Sequence, residues 1–247
     1  METRNFRRVY VWELPVRIFH WINAFAVAIL AITGLIIANP PAILSGAEAS
    51  DSYWFGIVRF IHFGTAYIFF CVMILRLYWA FVGNKFARWK AFWPFSKKMF
   101  YNFLHVTRVD IFLGHEKHPD IKDLSVGHNS VAGLSYAIMF FIAVVQVFTG
   151  FGLYAANAGW WLPKMFAWVV PFLGGDFIVR TIHHVSTWVF ILFVLIHVYL
   201  VFYHDWLEGR GEVSSMFGGY KYVYEERIKH DEKQATKEKK VPEAVVE

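Results

Sequence analysis

Cysteine is almost absent from this sequence of 247 residues, which contains Cys71 alone. A single cysteine excludes a disulfide framework, a cysteine-ligated iron–sulfur cluster and the CxxCH motif of covalent haem attachment. Because Cys71 lies in the middle of an apolar run, we expect its thiol to be buried and to pack as a small hydrophobic group.

Charged residues are also scarce, at 17% of the chain, whereas about a quarter of the residues in an ordinary soluble domain are charged. Hydrophobic residues make up 57% and aromatic residues 20%, and they collect in long uncharged runs, which is typical of a membrane protein. The net charge of +5 does not indicate nucleic-acid binding, because most basic residues flank the apolar runs. The sequence contains neither a nucleotide-binding glycine loop nor an internal repeat.

The apolar runs predict four membrane spans, at residues 16–38, 57–83, 129–154 and 180–206. Each run has at least the ~20 residues that a helix needs to cross ~30 Å of hydrocarbon. Lipid offers no hydrogen bonds to the backbone, so spans of this length must be helical. We therefore expect an all-α integral membrane protein, with a four-helix transmembrane domain over residues 1–206 and a cytoplasmic C-terminal tail over residues 207–247.

The basic residues predict the orientation of the chain. They concentrate before the first span and between the second and third spans, at Arg4, Arg7, Arg8, Arg17, Lys85, Arg88, Lys90, Lys97, Lys98, Arg108, Lys117 and Lys122. Residues 39–56 contain no Lys or Arg, and residues 155–179 contain only Lys164. By the positive-inside rule, both termini and the long middle loop face the cytoplasm.

Besides His204 in the last turn of the fourth span, five histidines fall within the predicted spans: His20, His62, His183, His184 and His197. Ionisable groups inside a membrane are costly and usually functional. A hydrogen-bonded structural role would explain one such histidine as well as a functional role would. Five of them, distributed as these are, indicate a binding site.

Helical spacing selects two of the three histidines that lie deeper in the fourth span. His183 and His197 are 14 residues apart, so they project from nearly the same face and lie about 21 Å apart along the axis. His184 would lie about 140° around the helix from His197. Neutral imidazole is a normal axial ligand of haem iron, and a flat macrocycle fits between the facing helices of a bundle.

The depth of the histidines in the membrane predicts two level pairs. His20 and His197 both lie in the cytoplasmic half, whereas His62 and His183 both lie near the outer side. We therefore predict two haems, each held between two histidines.

Glycines and arginines fit the same arrangement. Gly34 follows His20 by 14 residues, so it lies on the same face at the outer level, where a missing side chain leaves room for a haem. Gly64 and Gly150 are further pocket candidates, although small residues also simply allow membrane helices to approach. Arg59 and Arg76, near the two ends of the second span, are candidates to pair with haem propionates or to reach the lipid headgroups.

Several segments resemble the b-type cytochrome subunit of membrane-bound nickel–iron hydrogenases. The resemblance covers nearly the whole chain except about the last twenty residues, and it is carried by VYVWELPVRIFHW (residues 9–21), RLYWAFVGN (76–84), Gly127-His128-Asn129, the His183-His184 pair with His197, and MFGGYK (216–221). The Gly-His-Asn element and the histidines of the fourth span also occur in other di-haem cytochromes b, including formate dehydrogenase subunits. The first two segments are what favour hydrogenase.

The resemblance implies an electron-transfer subunit with no hydrogen-activating site of its own. Such a subunit anchors the large and small hydrogenase subunits to the bacterial inner membrane. It accepts electrons from an iron–sulfur cluster of the small subunit and passes them through two haems b to quinone near the cytoplasmic face. The four positions that match the haem ligands of the family are His20, His62, His183 and His197.

The resemblance also implies a quinone site near the cytoplasmic start of the third span, where His128 and Asn129 are the candidates. Asn129 would serve equally well as the N-cap of the third helix. His184 is a weaker quinone candidate, because it is predicted to lie near the outer side.

Three other functions stay open on the sequence alone. The cytochrome b of a formate dehydrogenase or thiosulfate reductase would have the same haems and a different partner. A proton-coupled transporter would use the intramembrane histidines and arginines as a relay, although the repeats and broken helices of transporters are missing. A structural anchor would use haem only to hold the helices together.

Overall fold

The computed structural model describes residues 6–42, 53–91, 126–127, 130–208 and 211–225. The elements, in chain order, are β1 (Phe6–Tyr10), α1 (Leu14–Ala38), α2 (Trp54–Val82), a 3₁₀ turn (Trp89–Ala91), α3 (Ser130–Ala155), α4 (Trp161–Lys164), α5 (Val169–Phe172), α6 (Asp176–Glu208), α7 (Glu212–Gly218) and β2 (Tyr220–Tyr224). His128 and Asn129 lie outside the described residues.

Among the described residues, four helices are long and apolar enough to cross a membrane, in agreement with the predicted number of spans. α1, α2, α3 and α6 contain 25, 29, 26 and 33 residues. The largest difference from the predicted bounds is the start of α6, at Asp176 instead of residue 180. Gly174 and Gly175 precede it with φ values of 93° and 112°, a conformation that glycine adopts without strain, and the carboxylate of Asp176 suits the positive end of a helix.

The chain forms two compact units. The first, which we call the helical unit, comprises residues 15–82 and 136–200 and therefore most of the four long helices. The second, which we call the end unit, comprises residues 1–14, 83–135 and 201–247.

The helical unit has a small apolar core and an apolar surface. Ala26, Phe69, Ala143, Val147 and Phe151 form a buried cluster to which α1, α2 and α3 contribute. Other large side chains point outward and are mostly exposed, as Phe25 (65%), Phe60 (77%), Phe141 (67%) and Leu195 (65%) illustrate. A soluble domain would bury such residues, whereas lipid hydrocarbon accommodates them.

Cys71 belongs to this apolar surface. The prediction that its thiol would be buried is wrong, because the side chain is exposed on α2. The run belongs to α2, which has a packed face at Phe69 and an exposed face at Cys71. An apolar run of this kind does not distinguish an exposed position from a packed one.

The end unit contains a two-stranded antiparallel sheet. β1 pairs with β2 in the register Phe6↔Tyr224 to Tyr10↔Tyr220. The sequence did not predict this pairing, since residues beyond 206 were expected to form only a tail. Gly219, between α7 and β2, has a φ of 85°, and a Cβ atom there would lie 2.6 Å from the Trp12 carbonyl oxygen. Only glycine fits this position.

Polar contacts fix the interior of the end unit. The Trp12 indole donates a hydrogen bond to the Ser215 hydroxyl over 3.2 Å, and both residues are buried. The Lys221 ammonium lies 2.5 Å from the Glu212 carboxylate, and Lys221 is only 4% exposed. The Asn84 side chain donates to the Val11 carbonyl over 2.9 Å. The first and third of these contacts tie the segment before α1 to the segments after α6 and after α2, respectively.

Candidate functional site

His20 of α1 and His197 of α6 lie opposite each other in the helical unit. Their ring centroids are 6.4 Å apart and the ring planes are inclined by 56°. A metal ion bound between two imidazoles lies about 2 Å from each nitrogen, which places the ring centroids roughly 6 Å apart. The observed separation therefore suits a single metal between the two rings.

The surroundings of this pair are largely aromatic. The His197 ring stacks on Phe193 at a centroid distance of 5.6 Å and meets the edge of Tyr136 at 6.0 Å. His20 Nδ1 and Asn23 Oδ1, one helical turn apart, are buried without a hydrogen-bond partner among the residues that the structure describes. Flat apolar walls and unpaired buried polar atoms indicate a binding site for a planar group.

His62 of α2 and His183 of α6 line a cavity of about 830 Å³, to which all four long helices contribute. This volume falls in the upper part of the range of about 300–1,000 Å³ that is typical of ligand pockets. Two of the three predicted pocket glycines, Gly34 and Gly150, line the same cavity, and Gly64 does not.

Each of these two histidines is hydrogen-bonded by a threonine. The Thr33 hydroxyl lies 2.9 Å from His62 Nδ1, and the Thr149 hydroxyl lies 2.9 Å from His183 Nδ1. In each pair the threonine lies on a different helix from the histidine. The hydrogen bonds therefore join α1 to α2 and α3 to α6.

Gly34 and Gly150 lie against the same two rings. A Cβ atom on Gly34 would lie 3.3 Å from His62 Cε1, and one on Gly150 would lie 3.1 Å from His183 Cε1. Both distances are shorter than an ordinary carbon–carbon contact of about 3.5–4.0 Å. The two glycines thus leave space that a side chain would fill. Gly64 differs, since a Cβ atom there would meet no atom within 4 Å.

The two predicted arginines differ in their relation to the cavity that His62 and His183 line. Arg59 lines the cavity, and its guanidinium lies 5.8 Å from the centroid of the Phe63 ring. Arg76 lies in the last two turns of α2 and is not among the residues that line this cavity. Arg180, which the sequence did not single out, lines the cavity and pairs with Asp176.

His184 is exposed and is hydrogen-bonded within its own helix. Its Nε2 accepts a hydrogen bond from the Trp188 indole over 3.1 Å. It still contributes to the rim of the cavity, next to a surface recess that Leu35 and Asn39 help to line.

Sequence reasoning missed the polar residues that surround the rings. Thr33, Thr149, Gln146 and Asn23 were not predicted, although Gln146 lines the cavity and its side-chain amide donates to Thr187 over 3.0 Å. The sequence does contain one signal, because a Thr-Gly dipeptide occurs at both 33–34 and 149–150.

The four long helices and the paired histidines match a known family. A family model described as prokaryotic cytochrome b561 matches residues 11–219 of this chain. The chain belongs to the prokaryotic cytochrome b561 family. The match covers both units and all four histidines of the two pairs, and it confirms the expected family.

Similar proteins of this cytochrome b561 family are named as hydrogenase subunits. The chain is 37% identical to a probable Ni/Fe-hydrogenase B-type cytochrome subunit of Cupriavidus necator, over 88% of each chain. It is 36% identical to one of Azotobacter vinelandii, over 92% of this chain and 93% of the relative. It is 32% identical to a probable Ni/Fe-hydrogenase 1 B-type cytochrome subunit of Escherichia coli, over 86% and 90%. The chain is thus a multi-pass membrane cytochrome b similar to hydrogenase subunits.

Membership of a cytochrome b family implies b-type haem, and the residues present fit that group. Haem iron needs only two protein ligands, the number of imidazoles in each histidine pair, and among the described residues no larger cluster of metal-binding side chains occurs. Gly34 and Gly150 leave space beside the rings, and Arg59 and Arg180 place positive charge on the cavity wall. Bound haem would supply one-electron redox chemistry inside the membrane.

Proposed function

We propose that this cytochrome b561-family chain is the membrane anchor and electron-transfer subunit that connects a periplasmic nickel–iron hydrogenase, through two haems b, to membrane quinone. The observation that carries this proposal is the presence of two separate histidine pairs in the helical unit. His20 and His197 face each other at 6.4 Å, and His62 and His183 line one cavity.

In this proposal each pair holds one haem. His183 and His197 are 14 residues apart on α6, which separates the two levels by about 21 Å. His62 and His183 would hold the outer haem, and His20 and His197 the inner one. Arg59 would pair with propionates of the outer haem, and what supports this role is that it lines the same cavity as His62. Arg76, near the other end of α2, is assigned to the inner level.

The orientation follows from the charges of the loops. Both termini and the loop over residues 84–128 would face the cytoplasm of a bacterial cell, with the chain in the inner membrane. The segment that contains α4 and α5 would then face the periplasm. Four of its aromatic side chains are exposed, namely Trp160 (43%), Trp161 (65%), Trp168 (52%) and Phe172 (76%). Aromatic residues suit the core of an interface, so this segment is the proposed contact with the hydrogenase.

The proposed electron donor is an iron–sulfur cluster of the hydrogenase small subunit, which would dock together with the large subunit. What supports a hydrogenase partner is that the relatives are named as Ni/Fe-hydrogenase subunits. The chain itself would not activate hydrogen.

The proposed quinone site lies at the start of α3, with His128 and Asn129 as its residues. An imidazole can hydrogen-bond a quinone carbonyl or deliver a proton to it, and quinone reduction consumes protons that reach the membrane edge from water. His184 is less favoured, because its Nε2 already accepts a hydrogen bond from Trp188.

Purification of the tagged chain from native membranes under mild detergent tests this proposal. We expect hydrogenase large and small subunits to copurify, and the complex to reduce added quinone when hydrogen is supplied. In the same assay, His128→Ala should keep both haem spectra and lower the rate of quinone reduction. A formate-oxidising or sulfur-compound-reducing partner in place of hydrogenase would contradict the proposed donor and leave the haem architecture in place.

A further inference from the structure

Thr33 and Thr149 occupy equivalent places at the two histidines of the cavity. Each hydroxyl oxygen lies 2.9 Å from a histidine Nδ1, at His62 and at His183 respectively. At His20, by contrast, Nδ1 is buried and has no hydrogen-bond partner within the described part of the chain. The threonines therefore distinguish one histidine pair from the other.

The single proton of each threonine hydroxyl is already committed to the helix backbone. Thr33 Oγ1 lies 2.6 Å from the Ile29 carbonyl oxygen, and Thr149 Oγ1 lies 2.6 Å from the Val145 carbonyl oxygen. These are the carbonyls four residues earlier, to which helical threonines commonly donate. Because a hydroxyl has only one proton to donate, each threonine oxygen must accept the second hydrogen bond, from histidine Nδ1–H.

This direction of donation determines the tautomer of both histidines. A neutral imidazole that carries its proton on Nδ1 has a free lone pair on Nε2. The glycine that follows each threonine lies against Cε1 of the same ring, at 3.3 Å from a Cβ position on Gly34 and 3.1 Å on Gly150. The Thr-Gly dipeptide thus holds the Nδ1–Cε1 edge of the ring and leaves Nε2 available.

We propose that Thr33 and Thr149 are positioning residues that hold His62 and His183 with Nε2 free for haem iron and lower the midpoint potential of that haem. This inference rests on the proposed function, in which His62 and His183 are axial ligands. A ligand imidazole that donates its other N–H to a hydrogen-bond acceptor is a stronger electron donor. Stronger donation stabilises ferric over ferrous iron, and therefore makes the haem harder to reduce.

The test compares Thr33→Val and Thr149→Val with Thr33→Ser and Thr149→Ser in the complete complex. Valine keeps the shape of threonine and removes the hydroxyl, whereas serine keeps the hydroxyl. Ser135→Ala is the matched control, because the Ser135 hydroxyl donates to the Val131 carbonyl on α3 over 2.8 Å in the same i−4 pattern. The readouts are a redox titration followed by optical spectra, and the electron paramagnetic resonance g-values of the oxidised haems.

We expect each valine variant to raise the midpoint potential of one haem, to change its g-values and to leave the other haem unchanged. Haem retention at that site should fall, since loss of such a partner typically weakens a metal site by about 10–100-fold. The serine variants and Ser135→Ala should match the unmodified protein.

Three outcomes would overturn the proposal: valine variants with unchanged potentials and g-values, an equal change in both haems, or serine variants that behave like valine. His62→Ala separates this failure from that of the proposed function. If His62→Ala loses one haem while the valine variants keep the original potentials and g-values, the ligand assignment stands and the proposed role of the threonines is wrong. If it keeps both haems, the ligand assignment itself is wrong.

Discussion

At the scale of single residues, the two histidine pairs differ in what contacts the rings. His62 and His183 are each held by a hydroxyl and a glycine, whereas His197 stacks on Phe193 and meets Tyr136. The first environment fixes the orientation of the rings through hydrogen bonds, and the second through aromatic packing. Substitutions near the two pairs should therefore have different effects.

We predict that Gly150→Ala and Gly34→Ala disturb one haem and spare the other. The added methyl group would lie 3.1 Å from His183 Cε1 or 3.3 Å from His62 Cε1, so the ring must move. Overpacking of this kind typically costs about 1–3 kcal/mol. Reduced-minus-oxidised spectra should show a shifted or diminished component, more strongly for Gly150→Ala because its contact is shorter.

Gly56→Ala is the control for this prediction, because a Cβ atom at Gly56 would meet nothing within 4 Å. It also lies on a helix, so any general effect of replacing a helical glycine appears in it too. Equal spectral changes in the Gly56 and Gly150 variants would contradict a specific contact with His183.

The sequence predicts these residues to different degrees. Spacing within one helix places His183 and His197 on one face, because the helical repeat is fixed. Contacts between helices depend on how each helix is rotated about its own axis, which spacing does not determine. Thr33 and Thr149 were missed for this reason. Gly64, chosen by the same reasoning as Gly150, has no neighbour within 4 Å of a Cβ position.

At the scale of secondary-structure elements, long apolar runs predict the four spanning helices within a few residues. The predicted start of α6, at residue 180, was too late, because the helix already begins at Asp176. The preceding segment ends at Gly174 and Gly175 and not at the first apolar residue. The pairing of β1 with β2 was not predicted at all. Its partners are more than 200 residues apart in sequence, as Phe6 and Tyr224 illustrate, and no local pattern reports such a pairing.

The strand β2 is also difficult to predict from the sequence because it contains a buried lysine. Lys221 and Val223 are 4% and 3% exposed, whereas Tyr222 between them is 48% exposed, which is the alternation of a strand with one buried face. A lysine is not expected at a buried position unless it is paired. In the sequence, Lys221 therefore does not look like a buried strand position, and the alternation is not recognisable. Glu212, 2.5 Å away, is the partner that makes the burial of Lys221 possible.

We predict that Glu212→Gln destabilises the end unit and not the helical unit. Removing the carboxylate leaves the buried Lys221 charge without its ion-pair partner, and breaking such a pair typically costs about 3–5 kcal/mol. Hydrogen exchange at residues 6–10 and 220–224 should accelerate, while the haem spectrum stays unchanged. The double variant Glu212→Gln with Lys221→Met should recover much of the protection, because it buries no charge. Unaltered exchange in the single variant would show that the ion pair contributes little.

At the scale of the whole molecule, the distribution of polarity matches that of a membrane cytochrome. Apolar side chains such as Phe60, Phe141 and Leu195 cover the outside of the helical unit, and the histidines lie between its helices. The buried ion pair between Glu212 and Lys221 lies instead in the end unit. The composition alone predicted this class of protein, because the apolar excess is too large for a soluble core.

The proposed redox partner is inferred from resemblance to other proteins and not from the geometry of the site. Nothing in the helix spacing or in the cavity distinguishes a hydrogenase from another donor. The segments at residues 9–21 and 76–84 favoured hydrogenase, and the similar proteins carry hydrogenase names. The spacing and depth of the histidines predict the haem sites, and resemblance predicts the donor.

The most direct test of the central claim is the haem content and spectrum of the purified chain and its four histidine variants. We predict two haems b per polypeptide by pyridine haemochrome assay. His62→Ala and His183→Ala should lose one spectral component, and His20→Ala and His197→Ala should lose the other. His184→Ala, the matched control, should keep both. A single haem or c-type haem would contradict the account, as would loss of the same component in His20→Ala and His183→Ala.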